Sequence, residues 1–210
     1  MITIYHLSTS RSERVIWLME ELELPYRVER LDRQPNLQAP EHLKSVHPLG
    51  RAPIIRDGDV TLAESGAIVD YITRRSGGRM AVGPEAPNFA DYLFWLHFAE
   101  GSFASQLLRE WYLDLLMPDA DNNPIVSRVH ADSQAQLDFV EARLGVVPYF
   151  AGFDFTAADI MMAFPFTTMQ RFKQLDLSDR PNIRAYVNRI SNRPAYRTAM
   201  AAAEPEQPGR

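Results

Sequence analysis

The sequence predicts an α/β domain followed by an all-helical domain, and three observations support this division. Alternating apolar and polar residues predict a strand at the start of the chain and a second strand over Tyr26–Leu31. Apolar residues at helical spacing lie between these strands. From Asn88 onward strand signals are absent and helical spacing continues. We therefore predict domains at residues 1–78 and 89–210, joined by a linker at residues 79–88.

The first predicted domain has the element order β-α-β-α-β-β-α. Because a helix joins the first two strands, we expect them to be parallel, with a right-handed crossover. A short helical piece is expected between Glu41 and Val46. Asp57-Gly58 is a hairpin signal between two further strands. A helix that begins near Ser65 completes the domain.

The second predicted domain carries more apolar surface than one core requires. The segment Phe89–Leu116 is apolar on more than one face, so part of it is expected to line a pocket or to form a subunit contact. A second helix is predicted over Ser127–Leu144. Pro194 is expected to begin the last helix, and residues from Glu204 onward are expected to form a mobile tail.

Thr156 and Asp159 have the spacing of a helix-capping box, with aspartate in place of the usual glutamate. In such a box the first side chain accepts a backbone hydrogen bond from the helix, and the second reaches back to the cap residue. We assign this pair to folding and not to chemistry.

Composition excludes several classes of function. The 210 residues are 46% hydrophobic and carry 22 basic and 27 acidic residues, a formal charge of -5. No segment gathers basic residues, so nucleic acid and anionic membranes are not expected as partners. The start of the chain lacks a signal peptide pattern, and we expect a cytoplasmic protein. There are no cysteines, so neither disulfides nor catalysis by a protein thiol is expected.

The best candidate for a ligand site is the stretch from Pro48 to Ser65. Pro53 precedes a short apolar strand, and proline is tolerated in a sheet only at a strand start, an edge or a bulge. Glu64 and Ser65 stand where a helix begins and unpaired backbone N–H groups gather. Such a helix end favours a bound carboxylate.

Two linked motifs in this stretch resemble the glutathione-binding signature of the cytosolic glutathione S-transferase family, with most likeness to its bacterial, serine-type members. They are Pro48-Leu-Gly-Arg-Ala-Pro53 and Glu64-Ser-Gly-Ala-Ile68. The resemblance extends over nearly the whole chain and includes the Thr156 capping box. It implies a thioredoxin-like first domain that binds glutathione, an all-helical second domain, and a homodimer.

The resemblance also implies roles for individual residues. The Ala52–Pro53 bond would be cis, and Ala52 would pair with the cysteinyl part of glutathione. Glu64 and Ser65 would hold the γ-glutamyl end. Arg51 takes the position where the family often has a basic residue near the glycine carboxylate.

The hydroxyl that activates the glutathione thiol is expected in the loop before the first helix. In serine-type members it stands four residues before an arginine on that helix, and Arg14 identifies Ser10 in this way. Ser12 is an alternative. Ser10 and Glu13 also fit a capping box, in which case Ser10 has no catalytic role. Tyr5 is a further candidate, although its distance from Arg14 is short for a tyrosine-type member, and an ordinary strand aromatic is the simpler interpretation.

Other side chains give weaker signals. The five histidines show no metal-ligand spacing, and no phosphate-binding loop occurs, so no metal is expected. Phe103, Trp111 and Tyr112 are candidates for an electrophile pocket, but aromatic residues at helical spacing more often belong to a core.

The sequence therefore predicts a glutathione transferase that joins the glutathione thiolate to a small hydrophobic electrophile. Glutathione would be a co-substrate, and the expected role is detoxification. Glutathione-dependent peroxide reduction or isomerisation is the alternative within enzymes. A non-catalytic binding or regulatory protein is the alternative outside them.

Overall fold

The computed structural model describes residues 1–36, 38–118, 120 and 123–204. Contacts divide the chain into two units, Met1–Ala81 with Arg189–Arg210, and Val82–Asn188. Units defined by contacts are not folding domains, so the domain division predicted at residues 79–88 stays a prediction. Within the described residues, no helix combines the length and the apolar character needed to cross a membrane.

The first unit contains a four-stranded mixed sheet in the order β2-β1-β3-β4. As predicted, the first two strands are parallel, whereas β1 with β3 and β3 with β4 are antiparallel. The predicted α/β class and hairpin are confirmed. The strands are β1 (Ile2–Leu7), β2 (Tyr26–Leu31), β3 (Ile54–Asp57) and β4 (Val60–Ala63).

Eight α-helices occur in the described residues, and six of them lie in the predicted helical part of the chain from Asn88 onward. The short piece predicted near Glu41 is a 3-10 helix, Glu41–Ser45. The α-helices are α1 (Glu13–Glu21), α2 (Ser65–Arg75), α3 (Phe89–Phe98), α4 (Ser105–Leu116), α5 (Pro124–Leu144), α6 (Ala157–Ala163), α7 (Pro181–Ser191) and α8 (Pro194–Ala203).

Helix α8 packs against α1 in the first unit. The guanidinium of Arg193 donates two hydrogen bonds to the carboxylate of Glu21, at 2.6 and 2.7 Å. The Trp17 ring meets the Tyr196 ring edge to face, with centroids 4.9 Å apart. A bidentate pair and an aromatic contact therefore fix the last helix. Of the tail predicted to be mobile, only Glu204 is described, and residues 205–210 lie outside the described part.

The second unit is helical, and its long aromatic segment is not one uninterrupted α-helix. A π-helical segment, Ala99–Ala104, separates α3 from α4. Such bulges insert an extra residue into one helical turn and rotate the following side chains about the helix axis. This rotation explains why apolar residues in Phe89–Leu116 follow more than one face in the sequence.

The predicted capping box at the start of α6 is confirmed. The Asp159 carboxylate accepts from the Thr156 N–H at 2.8 Å and from the Thr156 hydroxyl at 3.2 Å. It also accepts from the Phe150 N–H at 2.9 Å, and the side chain is fully buried. Burial raises the pKa of Asp159 to about 6, although the hydrogen bonds act in the opposite sense.

We predict that Asp159→Asn destabilises the protein by about 1–3 kcal/mol, because an amide nitrogen, which cannot accept, replaces an oxygen that accepts hydrogen bonds in this site. The loss should depend on pH. Since the folded state raises this pKa above its ordinary value of 3.8, the folded form holds a proton that the unfolded chain has released. The stability from this group is therefore present below about pH 4 and is lost as the pH rises through about 6.

The measurement is the free energy of unfolding of both proteins by denaturant titration at about pH 4.5 and about pH 7. The advantage of the wild type over Asp159→Asn should be larger at the lower pH. Asp154→Asn, at an exposed neighbouring position, is the matched control and should show no such difference. An advantage that grows with pH would contradict the prediction.

Candidate active site

The pairing of the central strands brings three separate segments to one end of the sheet. Tyr5 of β1 lies opposite Ile54 of β3, and Ile54 lies opposite Ala63 of β4. Both pairings are antiparallel. The chain that leaves β1, the chain that enters β3 and the chain that leaves β4 therefore meet at the same end.

The segment that enters β3 contains the predicted cis bond. The Ala52–Pro53 peptide is cis, as predicted. Pro53 is buried and Ala52 is half-buried. Among the described residues, neither the N–H nor the C=O of Ala52 has a hydrogen-bond partner. Ala52 thus offers a backbone donor and acceptor to an extended peptide at this end of the sheet.

The segment that leaves β4 forms the N-terminus of α2. Glu64 is the N-cap residue and has a φ of +73°, a conformation that non-glycine residues rarely adopt. Such backbone strain is found preferentially at functional sites. The Glu64 side chain is exposed and Ser65 is buried. The first-turn N–H groups of an eleven-residue helix supply donors and a positive dipole end for a carboxylate.

Arg51 lies at the same end of the sheet, one residue before Ala52, and its side chain is exposed. Its position therefore places a positive charge at this end of the sheet. The sheet thus places five candidate residues at one end, and their roles toward a ligand stay a prediction. They are Arg51, Ala52, Pro53, Glu64 and Ser65.

The segment that leaves β1 carries the two candidate serines. Ser12 is the N-cap residue of α1, but its side chain makes no capping hydrogen bond. The Ser12 hydroxyl instead lies 2.8 Å from His6 Nδ1 and accepts from the Leu7 N–H at 3.2 Å. Ser10 Oγ is 2.6 Å from Ser12 Oγ and accepts from the Ser12 N–H at 3.2 Å. Both serines belong to one buried hydrogen-bond network.

These positions bear on the alternatives for the activating hydroxyl. The helix starts two residues later than a Ser10–Glu13 capping box would require. Ser12 is fully buried, whereas Ser10 retains 8% exposure. Ser10 is therefore the less buried of the two, and the choice of the activating hydroxyl stays a prediction.

The position of Tyr5 favours the simpler interpretation of that residue. Its ring packs against an apolar cluster, and the Arg56 guanidinium carbon lies 5.9 Å from the ring centroid. Tyr5 is thus an ordinary strand aromatic with a cationic neighbour. The cluster consists of Leu7, Leu31, Leu43, Ile54 and Ala63.

Two residues of this network were missed by the sequence interpretation. His6, on β1, is 1% exposed. Its Nε2 lies 3.7 Å from the Glu204 carboxylate, which also accepts from the Thr9 N–H at 2.9 Å. Thr9 itself has a φ of +51°. Glu204 is far along the chain and shares no motif with the loop, so no local sequence signal could identify this contact.

A second cluster of titratable groups lies in the second unit. Ligand atoms of Glu110, Asp114 and His130 lie within 4.8 Å of one another. The three residues line a cavity of about 420 Å³. The ammonium of Lys173 donates to Glu110 at 2.7 Å and lies 3.7 Å from Asp114. A protein cation thus already lies beside both carboxylates. Spacing in the sequence gave no sign of this cluster.

The three aromatic residues considered for an electrophile pocket have different environments. Phe103 is fully buried and packs against Phe166, with ring centroids 5.5 Å apart. Trp111 contacts Tyr112 and Phe172, and Tyr112 is 54% exposed. Phe103 is therefore a core residue, as the simpler interpretation predicted.

Comparisons with known proteins agree with this geometry. Residues 1–74 match the family model of the glutathione S-transferase N-terminal domain, and residues 109–194 match that of the C-terminal domain. Glutathione S-transferase 3 of Schizosaccharomyces pombe is 34% identical, over 97% of this chain and 88% of that protein. Disulfide-bond oxidoreductase YfcG of Escherichia coli K12 is 26% identical, over 97% of this chain and 96% of that protein.

Solved structures give the same result. A glutathione S-transferase from Actinobacillus pleuropneumoniae superimposes with a TM-score of 0.86 and 30% identity, over 97% of this chain and 93% of that chain. A family member from Pseudomonas fluorescens Pf-5 with two glutathione molecules bound shares the fold, with a TM-score of 0.81 and 22% identity, over 95% and 92%.

The fold and the site define a two-part protein with a thioredoxin-like first part and a helical second part. The chain belongs to the glutathione S-transferase family and is an enzyme of that family.

Proposed function

We propose that the protein joins the thiolate of glutathione to a small hydrophobic electrophile. One observation carries this proposal. A hydroxyl at Ser10, a backbone donor and acceptor at Ala52, and a helix N-terminus at Ser65 lie at one end of one sheet. They complement the thiol, the peptide backbone and the terminal carboxylate of one extended tripeptide.

Each residue in this proposal has a distinct role. Ala52, positioned by Pro53, pairs with the cysteinyl backbone of glutathione. Ser65 and the first turn of α2 hold the γ-glutamyl carboxylate, and Glu64 binds the γ-glutamyl amino group. Arg51 faces the glycine carboxylate. The cysteinyl sulfur then lies toward the loop that contains Ser10.

The chemical task is to ionise the bound thiol. A free thiol has a pKa of about 8.5 and is mostly protonated at neutral pH. A hydrogen bond from the Ser10 hydroxyl to the sulfur, together with the N-terminal dipole of α1, favours the thiolate. Because the chain has no cysteine, the reacting sulfur belongs to glutathione. The protein contributes the lowered pKa and holds the two reactants together.

Peroxide reduction and isomerisation would use the same bound thiolate. The similarity to the disulfide-bond oxidoreductase YfcG of Escherichia coli is a reason to test these reactions. Assays with a chromogenic aryl halide, an organic hydroperoxide and an isomerisable enone separate these reactions. Retention on glutathione resin without turnover in any assay would indicate a binding or regulatory protein.

A cytoplasmic location stays a prediction.

We predict that Ser10→Ala lowers kcat/KM with the aryl halide by roughly tenfold to a hundredfold. One hydrogen bond to a charged group is worth about 1.5–3 kcal/mol, and about 1.4 kcal/mol corresponds to a factor of ten in rate. Retention on glutathione resin should change little, since Ser10 contacts the sulfur alone. Ser8→Ala, in the same loop, is the matched control. Unchanged turnover of Ser10→Ala would remove Ser10 from the mechanism.

We also predict that Ser65→Ala raises the dissociation constant for glutathione by roughly tenfold, because a hydrogen bond to the ligand carboxylate is lost. Calorimetric titration measures this change. Ser76→Ala, at the other end of α2, should bind as the wild type does. Equal affinities for wild type and Ser65→Ala would place the γ-glutamyl end elsewhere.

We further propose that two copies of the chain form a homodimer through an aromatic patch of the second unit. The patch consists of Leu93, Phe94, Phe98 and Phe139, and the rings of Phe94 and Phe139 meet edge to face at 5.8 Å. Phe94 and Phe139 are 46% and 48% exposed. Exposed, contiguous aromatic surface favours a protein partner, and the family resemblance identifies that partner as a second copy.

Phe94→Glu combined with Phe139→Glu should convert the dimer to a monomer, because association would bury two unpaired charges. Sedimentation velocity gives the mass. Phe153→Glu changes an isolated phenylalanine that is 77% exposed, and it should leave the dimer intact. A monomeric wild type would contradict the proposal.

A further inference from the structure

We infer that His6, with Glu204 beside it, receives the proton released by the glutathione thiol, which passes through Ser10 and Ser12. The proton chain consists of four protein residues, Ser10, Ser12, His6 and Glu204. The inference rests on the proposed function, and it concerns where the proton goes. His6 and Glu204 do not contact the substrate, and we treat them as positioning residues that act through the two serines.

The proton chain is continuous in the structure. Ser10 Oγ lies 2.6 Å from Ser12 Oγ, and Ser12 Oγ lies 2.8 Å from His6 Nδ1. His6 Nε2 lies 3.7 Å from Glu204 Oε1, at ion-pair distance. Both serines and the histidine are at least nine-tenths buried. Water therefore has little access to the path from Ser10 to His6.

One arrangement of hydrogens gives both serine hydroxyls and His6 Nδ1 a partner before ionisation. The carboxylate of Glu204 favours a proton on His6 Nε2, which leaves Nδ1 as an acceptor. Ser12 then donates to Nδ1 and accepts from the Leu7 N–H and from Ser10. Ser10 donates to Ser12 and accepts from the Ser12 N–H. Its remaining lone pair is available to the S–H of glutathione.

The opposite arrangement satisfies the chain after ionisation. The S–H bond breaks, its proton bonds to Ser10 Oγ, the former Ser10 proton moves to Ser12, and the former Ser12 proton moves to His6 Nδ1. The products are a thiolate and an imidazolium, so charge and protons balance. Ser12 now accepts from His6 and donates to Ser10, and the Ser10 hydroxyl donates to the thiolate. The three links from the sulfur through Ser10 and Ser12 to His6 reverse their direction without movement of a heavy atom, and the backbone N–H groups keep theirs.

The charges around His6 suit a proton acceptor. Burial lowers the pKa of His6, the Glu204 carboxylate raises it, and Arg30 on the adjacent strand lowers it. His6 is therefore neutral at pH 7 before the thiol ionises. A thiolate formed nearby adds a second negative charge, which together with Glu204 stabilises the imidazolium. Another cation near the loop, Arg33, donates to the Ser8 and Thr9 carbonyls at 2.9 Å. Arg11 lies in the loop itself, and the buried Arg14 lies in the first turn of α1.

The structure holds Glu204 in place from two sides. The Thr9 N–H donates to its carboxylate at 2.9 Å. Helix α8, which ends just before Glu204, is fixed to α1 through the Arg193–Glu21 pair. A residue near the end of the chain is thereby delivered to the loop that precedes α1.

The test measures the apparent pKa of enzyme-bound glutathione from the ultraviolet absorbance of its thiolate. His6→Asn keeps an amide near Ser12 but cannot take up a proton, and Glu204→Gln keeps an acceptor for the Thr9 N–H without the charge. Both variants should raise the apparent pKa of the bound thiol by about one unit, as expected for the loss of a charge partner. The pH profile of kcat/KM should move by the same amount.

Two controls separate this effect from damage to the fold. Binding of S-methylglutathione, which has no thiol proton, should be unchanged in both variants. His42→Asn and Glu85→Gln alter exposed residues of the same types and should leave the thiol pKa at the wild-type value. If His6→Asn does not fold, Glu204→Gln decides, because its half-buried carboxylate can lose its charge without opening a core.

The outcomes distinguish the two proposals. A wild type that does not bind glutathione overturns the proposed function. If the wild type binds glutathione with a lowered thiol pKa and both variants show the same pKa, the proton chain is overturned and the proposed function stands. A raised pKa in both variants with unchanged S-methylglutathione binding supports it.

Discussion

The antiparallel pairing of β1 with β3 is the constraint on which the site depends. It places the end of β1 beside the start of β3, and the β3–β4 hairpin adds the end of β4. A shift of one residue would turn the buried face of β1 toward the opposite side of the sheet. His6 would then leave the core, and Ser10 would lose its support. Sheet register therefore determines the chemistry available at this end.

The buried polar groups near α1 show how the site is kept in one arrangement. An unpaired buried hydroxyl or imidazole costs about 1–3 kcal/mol, so each group in such a network must find a partner. Ser12 meets this requirement through His6 and the backbone of Leu7. The Ser10 hydroxyl is thus oriented before a ligand arrives, and little ordering remains for the binding step.

The sequence predicted the parts of the structure that depend on local patterns. The capping box of Asp159, the hairpin at Gly58 and the helix that begins at Pro194 each follow from residues close in the chain. The positions of Ala52 and Ser65 followed from two linked motifs. Contacts between distant residues were not predictable, because periodicity carries no information about them. Glu204 was assigned to a mobile tail, yet it bonds to Thr9 across 195 residues.

The absence of cysteine makes the destination of the proton a central question. A cysteine enzyme can hold a stable thiolate of its own, whereas here the thiol arrives protonated with each molecule of glutathione. Lowering a thiol pKa from about 8.5 to below 7 requires about 2 kcal/mol of differential stabilisation. The Ser10 hydrogen bond can supply about that much, and the dipole of α1 adds about 0.3–1 kcal/mol. Those terms favour the thiolate at equilibrium, but neither accepts the proton. A buried imidazole with a carboxylate behind it does, which gives His6 and Glu204 a role that the hydroxyl alone cannot perform.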